Sequence, residues 1–239
     1  MAKSQFLKGI QLILGLFIMA LGISLSVKAD LGVTPISCVP YIYSLVVPFS
    51  LGELTIFMNA VFILLQIAIL RRKYRYIQLI QLLAVILLGY FIDFTLYLIS
   101  GINPTTYLEQ LLILLISCAF IALGVFLFVK ANITYIPGDG LLVVISQTFK
   151  KDFGTVKICF DCSMVTIGVV SSFLFLHKLA GVREGTILAA LIVGLLVKLY
   201  GKISLLLARK FLRIENHRLP QGKGNAFNCK GHHKKYIKE

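Results

Sequence analysis

The sequence ALGISLSVKADLGVTP, from Ala20 to Pro35, returns as ALGVFLFVKANITYIP from Ala122 to Pro137. The second copy begins 102 residues after the first (122 − 20 = 102), and the stretch contains no gap. The matched positions include Gly22 and Gly124, Lys28 and Lys130, Asp30 and Asn132, and Pro35 and Pro137. The same offset carries Gly52 onto Gly154 and Asn59 onto Asp161. A register kept over this length predicts two copies of one structural unit.

The composition places both copies in a membrane. The chain has 239 residues, of which 58% are hydrophobic and only 14% are charged. A soluble domain is typically about half apolar and about a quarter charged. The apolar residues form continuous runs instead of the short alternating segments of a β-barrel. The sequence therefore predicts an all-α integral membrane protein of the bacterial cell membrane.

The net charge of +14 is better explained by positive-inside loops and a basic tail than by nucleic-acid binding. The five cysteines imply no disulfide framework. Cys159 and Cys162 form a CxxC without a second pair, and Cys229, His232 and His233 form a weak metal pattern in the tail. We expect no metal, no cofactor and no nucleic-acid partner. A flexible tail that pairs with anionic lipid head groups is the favoured interpretation.

The chain contains six apolar runs that are long enough to span a bilayer. They cover residues 9–27, 51–70, 77–99, 108–129, 155–176 and 185–207. The first run resembles a signal peptide, but its Val-Lys-Ala ending recurs at residues 129–131, so we expect a retained helix. Two shorter runs, at 35–47 and 137–149, are typical of re-entrant or half helices. The predicted units are residues 1–100, 101–207 and the tail 208–239.

The topology depends on whether the short runs cross. If they do not, each repeat has three spans, and the odd number inverts the second copy relative to the first. With both termini cytoplasmic, the cations at 71–75, Lys130, Lys150, Lys151 and Lys157 then lie inside. If the short runs cross, the cluster at 71–75 lies outside, against the positive-inside bias. The sequence favours an inverted 3+3 arrangement.

Ionisable residues inside apolar spans are the candidate site residues, because burying their charge is expensive. Asp93 and Lys198 lie in equivalent third and sixth spans, each four residues after a glycine. They either pair across the repeat interface, or Lys198 extends to the cytoplasmic surface. Asn59 and Asp161 either line a cavity or form interhelical hydrogen bonds.

The two short helices are expected to begin near Pro35 and Pro137. Their starts favour an anionic group of a solute. Asp139 either contacts that solute or caps its own helix, and capping is the simpler explanation. Lys28 and Lys130 end matching helices, where a cation interacts favourably with the helix dipole.

The repeated Gly-x-x-x-x-Val-Lys-Ala-Asp/Asn-x-x-x-x-Pro motif, with Leu51-Gly52-Glu53 and Gly89-x-x-x-Asp93, resembles the bacterial YczE/YyaS/YitT group of membrane proteins. The likeness is to its YczE-like branch and covers residues 6–206. The group has no settled activity, so the resemblance implies a fold and a membrane location only. The tail is too short for the soluble domain that some members carry.

Two functions remain open from the sequence. A small-solute secondary transporter would use the inverted repeat, the paired half helices and the embedded charges to form a site at the repeat interface. A non-transporting accessory protein that stabilises or positions a partner complex would need the same packing but no aqueous cavity. We do not expect an enzyme or catalytic residues, because the spans contain no histidine and none of the metalloprotease, nucleotide-binding or hydrolase motifs.

Overall fold

The computed structural model describes residues 2–71, 80–131 and 133–218, and within them every regular element is an α-helix. In chain order the helices are α1 (Ala2–Ala29), α2 (Pro35–Ser44), α3 (Leu51–Leu70), α4 (Ile80–Leu98), α5 (Tyr107–Ala131), α6 (Pro137–Phe149), α7 (Phe153–Leu176) and α8 (Glu184–Arg218). Six of these are long and apolar enough to cross a membrane: α1, α3, α4, α5, α7 and α8. The chain is therefore a multi-pass membrane protein, and the predicted all-α class with six membrane-span candidates is confirmed.

Contacts divide the chain into one compact unit up to Gly201 and a second from Lys202, whose described part is the end of α8. The span predicted at 51–70 coincides with α3, since Ser50 and Glu53 form a capping box at its start. The span predicted at 185–207 agrees with the candidate span Glu184–Ser204, and the helix α8 itself continues beyond it to Arg218. After Gly201 the next helix-breaking residue is Pro220. The predicted start of the third span, at residues 77–79, lies outside the described residues, as do 72–75.

The helices α2 and α6 are too short to cross a bilayer. They contain 10 and 13 residues, or about 15 and 20 Å at 1.5 Å per residue, against a hydrocarbon core of about 30 Å. Moreover, α1 ends and α3 begins beside the same end of α4: Lys28 Nζ donates to Ser100 O at 3.1 Å, and Gly52 N donates to Asp93 Oδ1 at 2.8 Å. The segment that carries α2 therefore leaves and returns at one end of α4.

The helices α1 and α5 pack along each other in opposite directions. A Cβ atom at Gly22 would lie 3.0 Å from Ser117 O, and one at Gly124 would lie 2.7 Å from Gly15 O. Only glycine allows so close an approach of two helix backbones. Adding 102 to Gly15 and Gly22 gives Ser117 and Gly124. Each contact therefore becomes the other when every residue is replaced by its counterpart in the other copy. The same holds for Met19 against Gly124 and Ile121 against Gly22.

Two further pairs of helices from the two sequence halves follow the same rule. Helix α2 packs on α7, and α3 packs on α6. One apolar core joins these four helices through Val39, Phe62, Leu141 and Met164. Val39 and Leu141 are 102 residues apart, as are Phe62 and Met164. The core is thus built from equivalent positions of the two copies.

Candidate functional site

The two short helices begin next to each other inside this four-helix core. Pro35 and Pro137 occupy the first turns, and the preceding residues, Thr34 and Ile136, make no side-chain capping hydrogen bond. A Cβ atom at Gly138 would meet the side chain of Ile36, its counterpart in α2. Two positive ends of helix dipoles, neither of which has a side-chain cap, are therefore brought close together.

Asn59 lies on the face of α3 that turns towards the start of α6. On this face Phe62 approaches Gly138, and Gln66 Nε2 donates to Pro137 O at 2.9 Å. Asn59 is only 6% exposed, and its Nδ2 donates to Thr55 O at 2.8 Å. Its Oδ1 is buried and accepts no hydrogen bond from any residue that the structure describes. Because buried polar atoms are nearly always paired, this oxygen requires an explanation.

Asp161 occupies the position in α7 that corresponds to Asn59. Its carboxylate pairs with Lys157, one turn earlier, at 3.2 Å. Both residues share a helix face with Met164 and Gly168, which contact α3, α6 and α2. Lys157 and Asp161 both act electrostatically on Asp139, in the first turn of α6. The structure therefore groups Asp139 and Asp161, and places Asn59 on the opposite helix of the same core.

Asp93 has a structural partner. Ser50 Oγ donates to its Oδ2 at 2.6 Å and Gly52 N donates to its Oδ1 at 2.8 Å. The carboxylate thus binds the start of α3 from a neighbouring helix. The ion pairs between described side chains do not include one with Lys198, which is exposed on α8. Asp93 and Lys198 thus do not form the ion pair that the sequence offered as one possibility.

Asp93 also lines a crevice of about 530 Å³ at the end of α4 where α1 ends and α3 begins. Its walls are Val27, Tyr41, Ser44, Phe49, Ser50, Leu51, Glu53, Asp93 and Leu96. Polar groups of α2 and α3 therefore face an open space on this side of the protein.

The remaining repeat-motif residues have ordinary roles. Lys28 binds the Ser100 carbonyl, and the Lys130 ammonium lies 5.5 Å from the centre of the Phe126 ring. Asp30 has a positive φ of 53°, and its carbonyl accepts from Arg183 at 3.0 Å. Asn132 lies outside the described residues.

The structure adds two glutamines that the sequence pattern did not single out. Gln66 and Gln81 are 1% and 2% exposed. Gln66 Nε2 donates to Pro137 O at 2.9 Å and lies 3.4 Å from Gln81 Oε1, which links α3 and α4 to the first residue of α6. The signal was present, since polar residues are expensive in apolar spans.

No group of three His, Cys, Asp or Glu side chains in the described part of the chain is arranged to hold a metal ion. Cys159 and Cys162 are exposed on α7 as free cysteines. The tail residues Cys229, His232 and His233 lie outside the described residues.

Comparison with known proteins gives two matches. The model of a family of unknown function, DUF6198, matches residues 6–202. An uncharacterized membrane protein of Bacillus subtilis (strain 168), YczE, is 28% identical over 189 residues, which cover 77% of this chain and 80% of that protein. No solved structure shows significant similarity. These matches confirm the resemblance found from the repeated motif.

Proposed function

Since the chain belongs to the DUF6198 family, which has no assigned function, we propose from its own contacts that it is a small-solute secondary transporter or permease. Its site would lie where α2 and α6 begin, between two inverted halves. The observation that carries this proposal is the meeting of two uncapped short helices in a core built from equivalent positions. Broken or half helices that meet at a repeat interface are how many transporters form a site.

The inverted relation is supported by the direction of the helices. The contacts between α1 and α5 exchange under the offset of 102, and the two helices are antiparallel. A two-fold axis that relates antiparallel spans lies in the membrane plane, which corresponds to an inverted repeat. We propose cytoplasmic termini for both ends, because this places Lys150, Lys151 and Lys157 inside.

Transport would proceed by movement of one half against the other. The crevice beside Asp93 opens on one side of the protein and reaches Tyr41 and Ser44 of α2. It supplies a path towards α2 from that side, which the proposal assigns to the outside. We propose no catalytic step and no cofactor.

The proposal is tested by solvent access to the site. In a cysteine-free background, Asn59→Cys and Asp161→Cys are treated in cells with a membrane-impermeant thiol reagent. Ser100→Cys in the exposed loop is the positive control, and Ala20→Cys, at a fully buried position of α1, is the negative control. We expect labelling of at least one site variant, from either side. Protection of both, with normal labelling at residue 100, would refute an aqueous cavity.

Protection of both would favour the alternative, a membrane accessory protein that positions a partner complex. One feature suits that role: α8 is the least buried of the six candidate spans, and Gly194 has open space around it.

If the transporter proposal holds, comparison of metabolites between a deletion strain and its parent would identify the solute.

A further inference from the structure

In the first half of the chain, α3 and α4 pack closely near the start of α3. A Cβ atom at Gly52 would overlap Gly89 O, and one at Gly89 would lie 2.5 Å from Ile56 Cγ1. Beside them, Ser50 Oγ donates to Asp93 Oδ2 at 2.6 Å. Two glycines, one apolar side chain and one polar pair therefore close this contact, which we call the α3–α4 seam.

The second half of the chain carries the same parts on α7 and α8. Adding 102 to positions 50, 52 and 56 of α3 gives Asp152, Gly154 and Ile158 at the start of α7. Adding 105 (198 − 93 = 105) to positions 89 and 93 of α4 gives Gly194 and Lys198 of α8. Asp152 also caps its helix, as its counterpart caps α3. Both glycines and the isoleucine are retained, and the polar pair becomes two residues of opposite charge.

This second seam is open in the structure. No described atom lies within 4 Å of a Cβ atom at Gly194, and one at Gly154 would meet only Asp152 of its own helix. Ile158 is 65% exposed. Asp152 and Lys198 are both exposed, and neither belongs to an ion pair between described side chains. The positions that close the α3–α4 seam are therefore unpartnered between α7 and α8.

The opposite face of α8 is placed as the repeat requires. Ala84 of α4 lies in an apolar core with residues of α1. Its counterpart in α8, Ala189 (84 + 105 = 189), lies in one with Leu114 and Cys118 of α5. The helix α8 thus keeps the contact that corresponds to α4 on α1. It differs from α4 in the contact with the preceding span.

The two glycines lie at similar heights along α7 and α8. A Cβ atom at Gly168 would lie 3.5 Å from Val182, just before α8 begins at Glu184. From there the two consecutive spans run in opposite directions. Gly154 is 14 residues from Gly168 (168 − 154 = 14), and Gly194 is 12 residues from Val182 (194 − 182 = 12), about 20 Å in each case at 1.5 Å per residue. The parts of the second seam are therefore in register.

We propose that α7 and α8 close on each other in a second conformation, with Gly154 and Ile158 packed on Gly194 and Lys198 paired with Asp152. Glycine destabilises a helix relative to alanine, and the close approach of another helix is the usual reason for it in a membrane span. Sliding or hinging of packed helices is an ordinary way for such a seam to close. The inference goes beyond the proposed transport function and does not require it.

The test uses disulfide formation in isolated membranes that contain the full chain, free of its own cysteines and with two introduced. The seam pair is Asp152→Cys with Lys198→Cys. Its matched control is Asp152→Cys with Leu199→Cys, because the counterpart of Leu199 in α4, Phe94, lies against Phe17 of α1. After treatment with copper phenanthroline, the remaining thiols are counted in dodecyl sulfate by the mass that a polyethylene glycol maleimide adds.

We expect the seam pair to oxidise within one chain at least tenfold faster than the control pair. Ser50→Cys with Asp93→Cys, at the seam that is closed in the structure, shows that the oxidant works. Equal rates for the seam pair and the control pair would overturn the proposal. That comparison stands even if Asp93→Cys prevents folding, because Asp152, Lys198 and Leu199 are exposed and their replacement disturbs no core.

A second pair, Ile158→Cys with Gly194→Cys, leaves the two charged residues in place. We expect it to oxidise as well, and Lys198→Gln or Asp152→Asn added to it should slow oxidation about two- to fivefold, as expected for an exposed ion pair. Asparagine keeps the helix cap, so only the charge is lost. Lys178→Gln, in the loop after α7, should leave the rate unchanged. Oxidation that neither Lys198→Gln nor Asp152→Asn slows would refute the ion pair.

Failure of this proposal is distinguishable from failure of the transport proposal. If the seam pair oxidises while Asn59→Cys and Asp161→Cys are both protected from thiol reagents, the movement stands and the transport function is wrong. If either variant is labelled while the seam pair oxidises no faster than its control, the cavity stands and the closure of α7 on α8 is wrong.

Discussion

Replacing Asn59 by leucine should make the protein more stable. The buried Oδ1 has no donor among the described residues, and an unsatisfied buried acceptor costs about 1–3 kcal/mol. The substitution also loses the bond from Nδ2 to Thr55 O, worth about 0.5–1.5 kcal/mol. That carbonyl keeps its bond within the helix, so nothing new is left unpaired. The net expectation is a gain of about 1 kcal/mol in the free energy of unfolding.

The matched control is Gln66→Leu, two turns along the same face of α3. Gln66 is equally buried, but its Nε2 donates to Pro137 O and lies near Gln81 Oε1. Its removal leaves Gln81 Oε1, on α4, without this donor, whereas Pro137 O keeps its bond within α6. We expect a loss of about 1–3 kcal/mol, because the orphaned buried oxygen bears its own desolvation cost.

The two variants are compared by reversible unfolding of the purified protein in mixed micelles with increasing dodecyl sulfate. Since the chain has no tryptophan, far-ultraviolet circular dichroism is the more suitable signal. Opposite signs for the two variants support the assignment of Asn59 as an unsatisfied group kept for binding. If Asn59→Leu is destabilising by about 1 kcal/mol or more, the reasoning about its oxygen is refuted.

Three further predictions concern the packing and the topology. Gly124→Ala should lower the free energy of unfolding by about 1–3 kcal/mol, because the new Cβ would lie 2.6 Å from Met19 N. Gly9→Ala, in open space on α1, should leave the stability unchanged, and unfolding midpoints check both variants. Asp93→Asn should lower the free energy of unfolding by about 1–2 kcal/mol, because it weakens two charge-assisted hydrogen bonds at the start of α3. Asp152→Asn, at the exposed cap of α7, should change it very little, since asparagine caps a helix as well as aspartate does. Reporter fusions after residue 75 should be active in the cytoplasm and those after residue 101 outside it; the reverse would refute the inverted topology.

Much of the fold could be predicted, because the length of an apolar run identifies a membrane span and an exact sequence repeat identifies equivalent positions. The run from Leu51 to Leu70 ends where the structure ends α3, and the pair Asn59 and Asp161 was found from the constant offset. The limits of α2 and α8 were less accurate. A short helix has few residues to define its end, and an amphiphilic continuation carries no stop signal.

The partners of individual side chains could not be predicted in the same way. Asp93 and Lys198 were expected to pair unless Lys198 extends to the cytoplasmic surface, yet Asp93 accepts a hydrogen bond from the backbone of α3, 41 residues earlier. Backbone partners carry no side-chain signature, so no pattern of residue types reveals them. The unpaired oxygen of Asn59 likewise depends on three-dimensional packing, although the residue itself was a candidate.

The two halves of the core differ in charge at one turn of helix, where α3 carries Thr55 and Asn59 and α7 carries Lys157 and Asp161. A dimer of identical subunits would present the same groups on both sides, and a guest molecule could enter either way round. In a single chain the two sides are free to diverge. A molecule held here would therefore meet an amide at one end and an ion pair at the other, and would have one preferred orientation across the membrane.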